Sequence, residues 1–179
     1  MKKNVVVAIT GASGIIYGKR AVEALGKTKH KTALVISETA KLIAKEEGVK
    51  LPASDYSEKD FFAPFASGSR APDAMLVIPC SLKTLSAIAN GCSDNLISRT
   101  AEVCIKEGKK LVLVVRETPL SPIALENCLK LSRIGVIILP ACPAFYSKHD
   151  RVEDLVNFVV GKALDSLGVE NKLYKRWKE

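Results

Sequence analysis

Short, continuous runs of apolar and mostly β-branched residues alternate along this chain with segments of helical periodicity. Such runs are typical of parallel strands that helices cover on both faces, because these strands have no side that faces water. The alternation therefore predicts an α/β fold with a parallel sheet and right-handed crossovers. The predicted strands are residues 5–10, 32–36, 74–78, 111–115 and 136–139, and the predicted helices are residues 17–25, 38–47, 95–106, 122–131 and 152–167.

Residues 51–70 interrupt this pattern with prolines, serines and an aromatic cluster of Phe61, Phe62 and Phe65. We predict a long loop there, of the kind that is usually functional or disordered. The 179 residues are 47% hydrophobic, which is enough to bury a core, and their number predicts one domain spanning residues 1–179. No apolar run approaches about 18 residues, so the sequence predicts no membrane span. From about residue 169 the chain becomes a polar and basic tail.

The charge balance is basic, because 27 Lys and Arg residues outnumber 19 Asp and Glu residues and give a net charge of +8. This balance favours anionic ligands, whether nucleic acid, acidic lipid or phosphorylated small molecules. The basic residues are scattered and accompany no recognition helix or stacking motif, which argues against nucleic acid. The five cysteines form no C-x-x-C pair, so we predict neither a disulfide scaffold nor a zinc site, and a reducing cytoplasm as the location.

Open parallel sheets bind ligands beyond the carboxyl ends of their strands, so the turns at those ends are the candidate sites. The first turn, residues 11–14, reads GASG between a strand and a helix, where bare backbone and helix N–H groups suit a phosphate. Ser37 ends the second predicted strand, and residues 81–84 (SLKT) follow the third. Hydroxyls and an ammonium group there suit a phosphate or a polar ring edge. A plain tight turn and ordinary helix capping remain the alternatives.

The fourth and fifth predicted strands end in further polar side chains. Arg116 offers fixed-geometry binding of an anion or a carbonyl, and Glu117 offers proton transfer; a solvent-facing ion pair is the alternative. Tyr146 follows two loop prolines and has a phenolic donor for a phosphate, unless it is a half-buried core residue. His30 and His149 are the only histidines, and neither lies near a credible nucleophile, which argues against a hydrolase.

Taken in order, these turns belong to a larger set of motifs that covers nearly the whole chain. The stretches are GASGIIYG (11–18), ASGS (66–69), IPCSLKTLSAIANG (78–91), DNLISR (94–99), IKEGKKLVLVVRETPLS (105–121), LENCLKLS (125–132), PACPAFY (140–146) and the closing LG and RW pairs (167–168 and 176–177). With them the chain resembles the flavin prenyltransferase family, the UbiX/Pad type of flavoprotein. Each motif alone is weak, but the ordered set is specific.

The resemblance implies a Rossmann-like, flavodoxin-type three-layer sandwich that assembles into a homododecamer with FMN at subunit interfaces. It implies a metal-independent reaction that joins the dimethylallyl group of dimethylallyl monophosphate to N5 and C6 of reduced FMN. The product, prenylated FMN, would serve a decarboxylase of the UbiD type.

The resemblance also assigns roles to individual residues. The residues implied to bind FMN are Gly11, Ala12, Ser13, Ser37, Ser81, Leu82, Lys83, Thr84 and Arg116. Those implied to bind the allyl phosphate are Tyr146 and Lys162, with Arg99 and Lys106 reaching a neighbouring subunit's site and Trp177 covering the pocket. Glu117 is implied as the acid/base that Ser13 orients, and Glu47 as a further active-site carboxylate. Phe61, Phe62 and Phe65 are candidate walls of a dry pocket for an allylic cation.

The sequence departs from the family pattern at Lys162, where Arg is frequent, so a point charge replaces a bidentate fork at the phosphate. Four alternative functions stay open. One is the sister branch of FMN-dependent decarboxylases of cysteine-derived substrates, which uses a catalytic His and a P-x-S-A-N-T motif where this chain reads PCSLKT. The others are a flavin reductase on the same fold, a flavin carrier without catalysis, and a nucleic-acid-binding module.

Overall fold

The computed structural model describes residues 2–146 and 150–177. Its strands are β1 Asn4–Ile9, β2 Lys31–Ile36, β3 Tyr56–Ser57, β4 Ala74–Cys80, β5 Lys110–Val115 and β6 Ile137–Pro140. Its helices are α1 Ile15–Gly26, α2 Glu38–Glu46, α3 Leu82–Ala89, α4 Leu96–Lys106, α5 Pro122–Arg133 and α6 Val152–Leu167. The strands form one sheet in the order β3-β2-β1-β4-β5-β6, and every pairing is parallel, which confirms the predicted α/β fold.

Two hydrophobic cores lie on opposite faces of the sheet, because neighbouring strand residues point to opposite sides. Val5 and Val7 of β1 pack with α1, α2 and α6, whereas Val6 and Ala8 pack with α3, α4 and α5. Both faces of β1 are therefore covered, and only Asn4 in that strand is exposed. This arrangement is the predicted three-layer sandwich. No helix in residues 2–146 and 150–177 is long and apolar enough to cross a membrane.

The structure adds two elements that the sequence did not predict. β3 lies within the predicted loop of residues 51–70, together with two single 3₁₀ turns at Pro64–Ala66 and Gly68–Arg70. α3 begins directly after Ser81, in a stretch for which the sequence predicts a binding turn, with helix capping by Ser81 as the alternative. In addition, α1 begins at Ile15, two residues before the predicted start, because Gly14 adopts a left-handed φ of 90° and acts as its N-cap.

Candidate active site at the carboxyl edge of the sheet

Thr10 joins the ends of the two central strands. Its hydroxyl donates to the Pro79 carbonyl at 2.8 Å and accepts from the Ser81 N–H at 2.8 Å, while its own N–H donates to the Pro79 carbonyl at 3.2 Å. The residue is 1% exposed, so these bonds are shielded from water. Sequence reasoning assigned Thr10 no role, although a hydroxyl residue closing an apolar strand was a usable signal. The effect is to fix Ser81, and with it the start of α3, against the first turn.

The first turn is a tight backbone segment with no room for a side chain at either of its two glycines. A Cβ on Gly11 would lie 2.5 Å from Cγ2 of Thr39, and one on Gly14 would lie 2.9 Å from the Tyr17 ring. Between these glycines, Ala12 is buried and Ser13 is exposed. The turn therefore presents bare backbone and one hydroxyl at the edge where a parallel sheet binds its ligand.

Glu47 closes the start of α1. Its two carboxylate oxygens accept from the Gly14 N–H at 2.7 Å and from the Ile15 N–H at 2.9 Å. A carboxylate at this position satisfies two free amides and complements the helix dipole. The predicted catalytic role of Glu47 stays a prediction. What the geometry establishes is that this side chain, 33 residues away in sequence, holds the glycine turn in shape.

Ser37 and Ser81 begin α2 and α3 as N-cap residues. The Ser37 hydroxyl accepts from the Ala40 N–H at 3.1 Å, and the Ser81 hydroxyl accepts from the Thr84 N–H at 3.2 Å and donates to Thr84 Oγ1 at 3.0 Å. The alternative of ordinary helix capping is thus correct for both serines, and it is compatible with ligand binding because a hydroxyl oxygen accepts more than one bond. Leu82 is partly buried, and the Lys83 side chain is 80% exposed.

Arg116 carries the least satisfied polar group at this edge. Its Nε is buried and has no hydrogen-bond partner among the residues that the structure describes, and its Cγ lies 4.0 Å from the position of a Cβ on Gly14. A buried guanidinium nitrogen without a partner is costly unless a ligand completes it. The arrangement fits FMN, whose phosphate and ring carbonyls are acceptors; contacts of FMN with Gly11, Ala12 and Ser13 stay a prediction.

Tyr17 lies beside Arg116 and escaped the sequence reasoning, which placed it only at a helix start. Burial raises the pKa of the Tyr17 phenol, Cys142 raises it further, and Arg116 opposes both. These three residues come from α1, from the segment after β6 and from the segment after β5. They show that the ends of β1, β5 and β6 converge on one place.

Glu117 lines a small cavity of about 130 Å³ between the ends of β5 and β6. Arg116, Leu120, Ile138 and Cys142 share its wall. Glu117 is exposed, and its Oε1 accepts from the Thr118 N–H at 3.0 Å. No hydrogen bond joins it to Ser13 in the described part of the chain, so the proposed orienting role of Ser13 stays a prediction.

A second polar and aromatic surface lies on α6. The Tyr146 ring meets the Trp177 ring edge-on at 5.0 Å between centroids, and it meets the Phe158 ring at 6.1 Å. Lys162 is exposed and lies one helical turn after Phe158, on the same side of α6. The structure therefore brings together Tyr146 and Trp177, two residues that the resemblance implied at the allyl phosphate, and it places the third, Lys162, on the side of α6 that carries Phe158.

The remaining two predicted phosphate cations lie elsewhere. Arg99 and Lys106 are on α4, across the sheet from α6. Arg99 Nε donates to the Ala66 carbonyl at 3.1 Å and its Nη1 to Glu102 at 3.0 Å, while Lys106 Nζ pairs with Glu107 at 3.0 Å. Within one chain these cations do not share a surface with Lys162.

The aromatic loop divides in the same way. Phe65 is 6% exposed and packs edge-on against Tyr56 at 5.0 Å, and both rings line a cavity beside the amino end of β1, away from the carboxyl edge of the sheet. Phe61 and Phe62 are exposed, the latter to 98%. Such exposure of a large ring is typical of a surface that another chain covers.

His30 lies at the amino end of β2, opposite the edge where the site residues gather. Its Nδ1 accepts from the Lys3 N–H at 3.1 Å. This location argues against a catalytic role of the kind that the decarboxylase branch requires. His149 lies outside the described residues.

Comparison with known proteins gives one consistent answer. The flavoprotein family model matches residues 1–164. The flavin prenyltransferase UbiX of Methanocaldococcus jannaschii is 53% identical, over 97% of this chain and 97% of that protein.

Two solved structures are similar over nearly the full length of both chains. The crystal structure of AnUbiX with FMN and dimethylallyl pyrophosphate has a TM-score of 0.95 at 43% identity, covering 100% of this chain and 99% of that one. The dodecameric FMN-dependent UbiX-like decarboxylase of Escherichia coli O157:H7 has a TM-score of 0.91 at 42% identity, covering 98% of this chain and 100% of that one. By contrast, the peptidyl-cysteine decarboxylase EpiD shares the fold alone, with 20% identity and a TM-score of 0.58.

Proposed function

The chain belongs to the flavoprotein family, among its flavin prenyltransferases, and from this premise we propose that it transfers a dimethylallyl group from dimethylallyl monophosphate to reduced FMN. In the reaction the allylic carbon–oxygen bond breaks, inorganic phosphate leaves, and new bonds from the prenyl group to N5 and C6 close a ring on the flavin. When bound, reduced FMN supplies the nucleophile. The protein binds both partners, neutralises the leaving phosphate and moves a proton.

The observation that carries this proposal is the buried Nε of Arg116, which has no hydrogen-bond partner within residues 2–146 and 150–177 and belongs to a side chain beside the glycine turn. A ligand with acceptor groups satisfies it, and the turn of residues 11–13 offers backbone room for the same ligand. Ser37 and the Ser81–Thr84 segment face that edge as helix starts, whose partial positive charge favours a phosphate. These features support FMN as the resident flavin. The relative solved with FMN has the same fold at a TM-score of 0.95.

The α6 surface supports the allyl phosphate site. Tyr146 donates a hydrogen bond from its phenolic hydroxyl and Lys162 contributes a positive charge, and both stabilise the phosphate as it departs. Trp177 packs edge-on against Tyr146 and covers the site with an aromatic ring that excludes water and favours a developing cation. We propose the monophosphate as the substrate because the resemblance to the flavin prenyltransferases implies it, and Lys162 would bind its phosphate as a point charge.

Glu117 is the candidate acid/base. It lies in the same cavity wall as Arg116, at the flavin edge of the site, and only one of its oxygens is engaged by a hydrogen bond within residues 2–146 and 150–177. The second oxygen is available to take the proton released at ring closure and to return it to the leaving phosphate.

We propose that the working form is a homododecamer, as in the dodecameric relative, because one chain does not unite its phosphate cations. Arg99 and Lys106 of one subunit would complete the Tyr146 and Lys162 surface of another. The exposed Phe62 supports such an assembly. Coexpression of Arg99→Ala and Tyr146→Phe subunits tests it, since mixed assemblies regain some intact composite sites, whereas either variant alone has none. Activity no higher than the sum of the two variants would refute composite sites.

The function is tested by anaerobic incubation with reduced FMN and dimethylallyl monophosphate, followed by mass spectrometry of the released flavin. A flavin heavier by one five-carbon prenyl unit is the expected product. Unmodified FMN released from a flavin-loaded protein would refute prenyl transfer and leave flavin binding intact, which would favour the flavin reductase or carrier alternatives.

We further propose that the product serves a decarboxylase of the UbiD type in the cytoplasm. Adding the released flavin to such a decarboxylase stripped of its cofactor should restore its activity. Unmodified FMN added in the same way is the control and should not.

A further inference from the structure

The C-terminal strap, residues 171–177, runs back over α6 and carries Trp177 to Tyr146. One carboxylate on α6 receives most of its polar contacts. Asp165 accepts from the Tyr174 hydroxyl at 2.6 Å, from Asn171 Nδ2 at 2.9 Å and from both terminal nitrogens of Arg176 at 3.1 and 3.0 Å. The side chain of Asp165 is 22% exposed, so these bonds form in a partly shielded place.

Packing fits the strap to the helix at the same point. Gly161 lies under the Tyr174 ring, and a Cβ there would collide with that ring. Asn171 Nδ2 also donates to the Gly161 carbonyl at 3.2 Å, and the guanidinium of Arg176 lies 5.3 Å from the centre of the Tyr174 ring. The strap is therefore seated in a groove of α6 rather than resting on its surface.

A continuous line of rings leads from this anchor to the proposed substrate site. Tyr174 meets Phe158 at 5.0 Å, Phe158 meets Tyr146 at 6.1 Å, and Tyr146 meets Trp177 at 5.0 Å. Tyr174 and Trp177 of the strap thus both contact the same aromatic cluster. Releasing the anchor would free Trp177 and remove the support that Tyr174 gives to Phe158.

We infer that Asp165 is a positioning residue for the allyl phosphate site: it anchors the strap and thereby holds Trp177 against Tyr146. Asp165 itself points to the strap and not to substrate, because its oxygens are occupied by Tyr174, Asn171 and Arg176. The inference rests on the proposed function for its catalytic consequence. Its structural part, the anchoring of Trp177, can be measured independently of any reaction.

The test replaces Asp165 in the full, flavin-loaded chain. Asp165→Asn keeps the size of the side chain and removes the charge that pairs with Arg176. Trp177 is the only tryptophan in the sequence, so its emission and its quenching by acrylamide report the strap directly. We expect stronger acrylamide quenching, a KM for dimethylallyl monophosphate raised by about tenfold, the scale of one lost charge-assisted contact, and flavin affinity within about twofold of the parent.

Two further variants separate positioning from general stability. Asp165→Glu restores the charge, so it should bring both the KM and the acrylamide quenching part of the way back to the parent values. Ser166→Ala removes a hydroxyl on the neighbouring residue that donates to the Lys162 backbone carbonyl and has no bond to the strap within the described residues, and it should change neither measurement. If Asp165→Asn does not fold, Tyr174→Phe removes the 2.6 Å bond to Asp165 and the 3.3 Å bond from Arg176 Nη1, leaves the Asp165–Arg176 pair in place, and should give a smaller change in the same direction.

Unchanged quenching of Trp177 in Asp165→Asn would overturn the inference. So would a loss of flavin affinity equal to the rise in KM, because that would identify a general structural role. If the parent protein forms no prenylated flavin, the proposed function fails, and the anchoring is still decided by the quenching comparison alone.

Discussion

Replacing Thr10 with Val tests whether the bridge between β1 and β4 shapes the site. The two side chains have nearly the same volume, so the change removes the hydroxyl without opening a cavity. The Pro79 carbonyl keeps its bond from the Thr10 N–H, but the Ser81 N–H loses the acceptor that it has in the described part of the chain, in a place that is closed to water. A buried donor left unpaired costs about 1–3 kcal/mol, and we take about 2 kcal/mol for this one.

For a chain of this length, about 1 kcal/mol corresponds to a Tm change of roughly 2–4 °C, so Thr10→Val should melt roughly 4–8 °C below the parent. The melting curves must be compared at equal subunit and flavin concentrations, because both binding and assembly raise Tm. Thr10→Ser is the matched control, since it keeps the hydroxyl and loses one buried methyl group, worth about 1 kcal/mol.

The two variants should also differ in flavin binding. Val leaves Ser81 untethered and should weaken flavin affinity, whereas Ser keeps the tether and should not. Thr10→Val with the Tm and the flavin affinity of the parent would refute the reasoning. A larger loss in Thr10→Ser than in Thr10→Val would also refute it, because packing of the methyl group would then outweigh the hydrogen bonds.

Four further predictions concern individual side chains. Glu117→Gln should keep FMN bound and lower turnover by about a hundredfold or more, and near-normal turnover would remove Glu117 from the mechanism. Tyr146→Phe should raise the KM for the allyl phosphate without loss of flavin, and loss of flavin instead would mean that Tyr146 contacts the other ligand. Burial raises the pKa of Cys104 to about 12 and that of Cys80 still further, so a thiol reagent at mildly alkaline pH should modify neither until the chain is unfolded. Burial raises the pKa of Asp165, but the bonds from its partners outweigh this and hold it below the ordinary value. The ionised form of Asp165 therefore stabilises the fold above the ordinary carboxyl pKa, and this contribution is lost as the pH falls through the folded-state pKa. Acrylamide quenching of Trp177 should therefore rise on acidification of the parent protein. The same rise should be absent in Asp165→Asn.

The strands of the central sheet were predictable because burial on both faces leaves a signature in the residues themselves. β1 shows it plainly, since each residue from Val5 to Ile9 is buried and each is apolar. β3 has no such signature. It is two residues long, and the ladder beside it is continued by Asp55, whose carboxylate accepts from the Leu34 N–H at 2.8 Å and whose N–H donates to the Leu34 carbonyl at 2.9 Å. Because the Asp55 side chain makes a bond that a further strand residue would otherwise make, the sequence carries no periodic pattern that would indicate a strand there.

α3 was missed for a different reason. Its apolar positions, Leu85 and Ile88, have helical spacing, and Ser81 is a good N-cap. The segment was interpreted as a ligand-binding turn because of its hydroxyls, and the two interpretations were treated as exclusive. In the structure one serine performs the capping at the same edge where the ligand is proposed to bind, so helix capping and ligand binding should be considered together at strand ends.

The residues proposed to contact the ligands could be proposed from sequence because motifs record them next to one another. The residues that hold those contacts in place could not be, because each acts across a long stretch of chain. Glu47 closes the glycine turn from 33 residues away, and Thr10 tethers Ser81 from 71 residues away. Asp165 does the same for the strap. In each case a single side chain accepts hydrogen bonds from a segment distant in sequence, so the shape of the site depends on contacts that no local motif records.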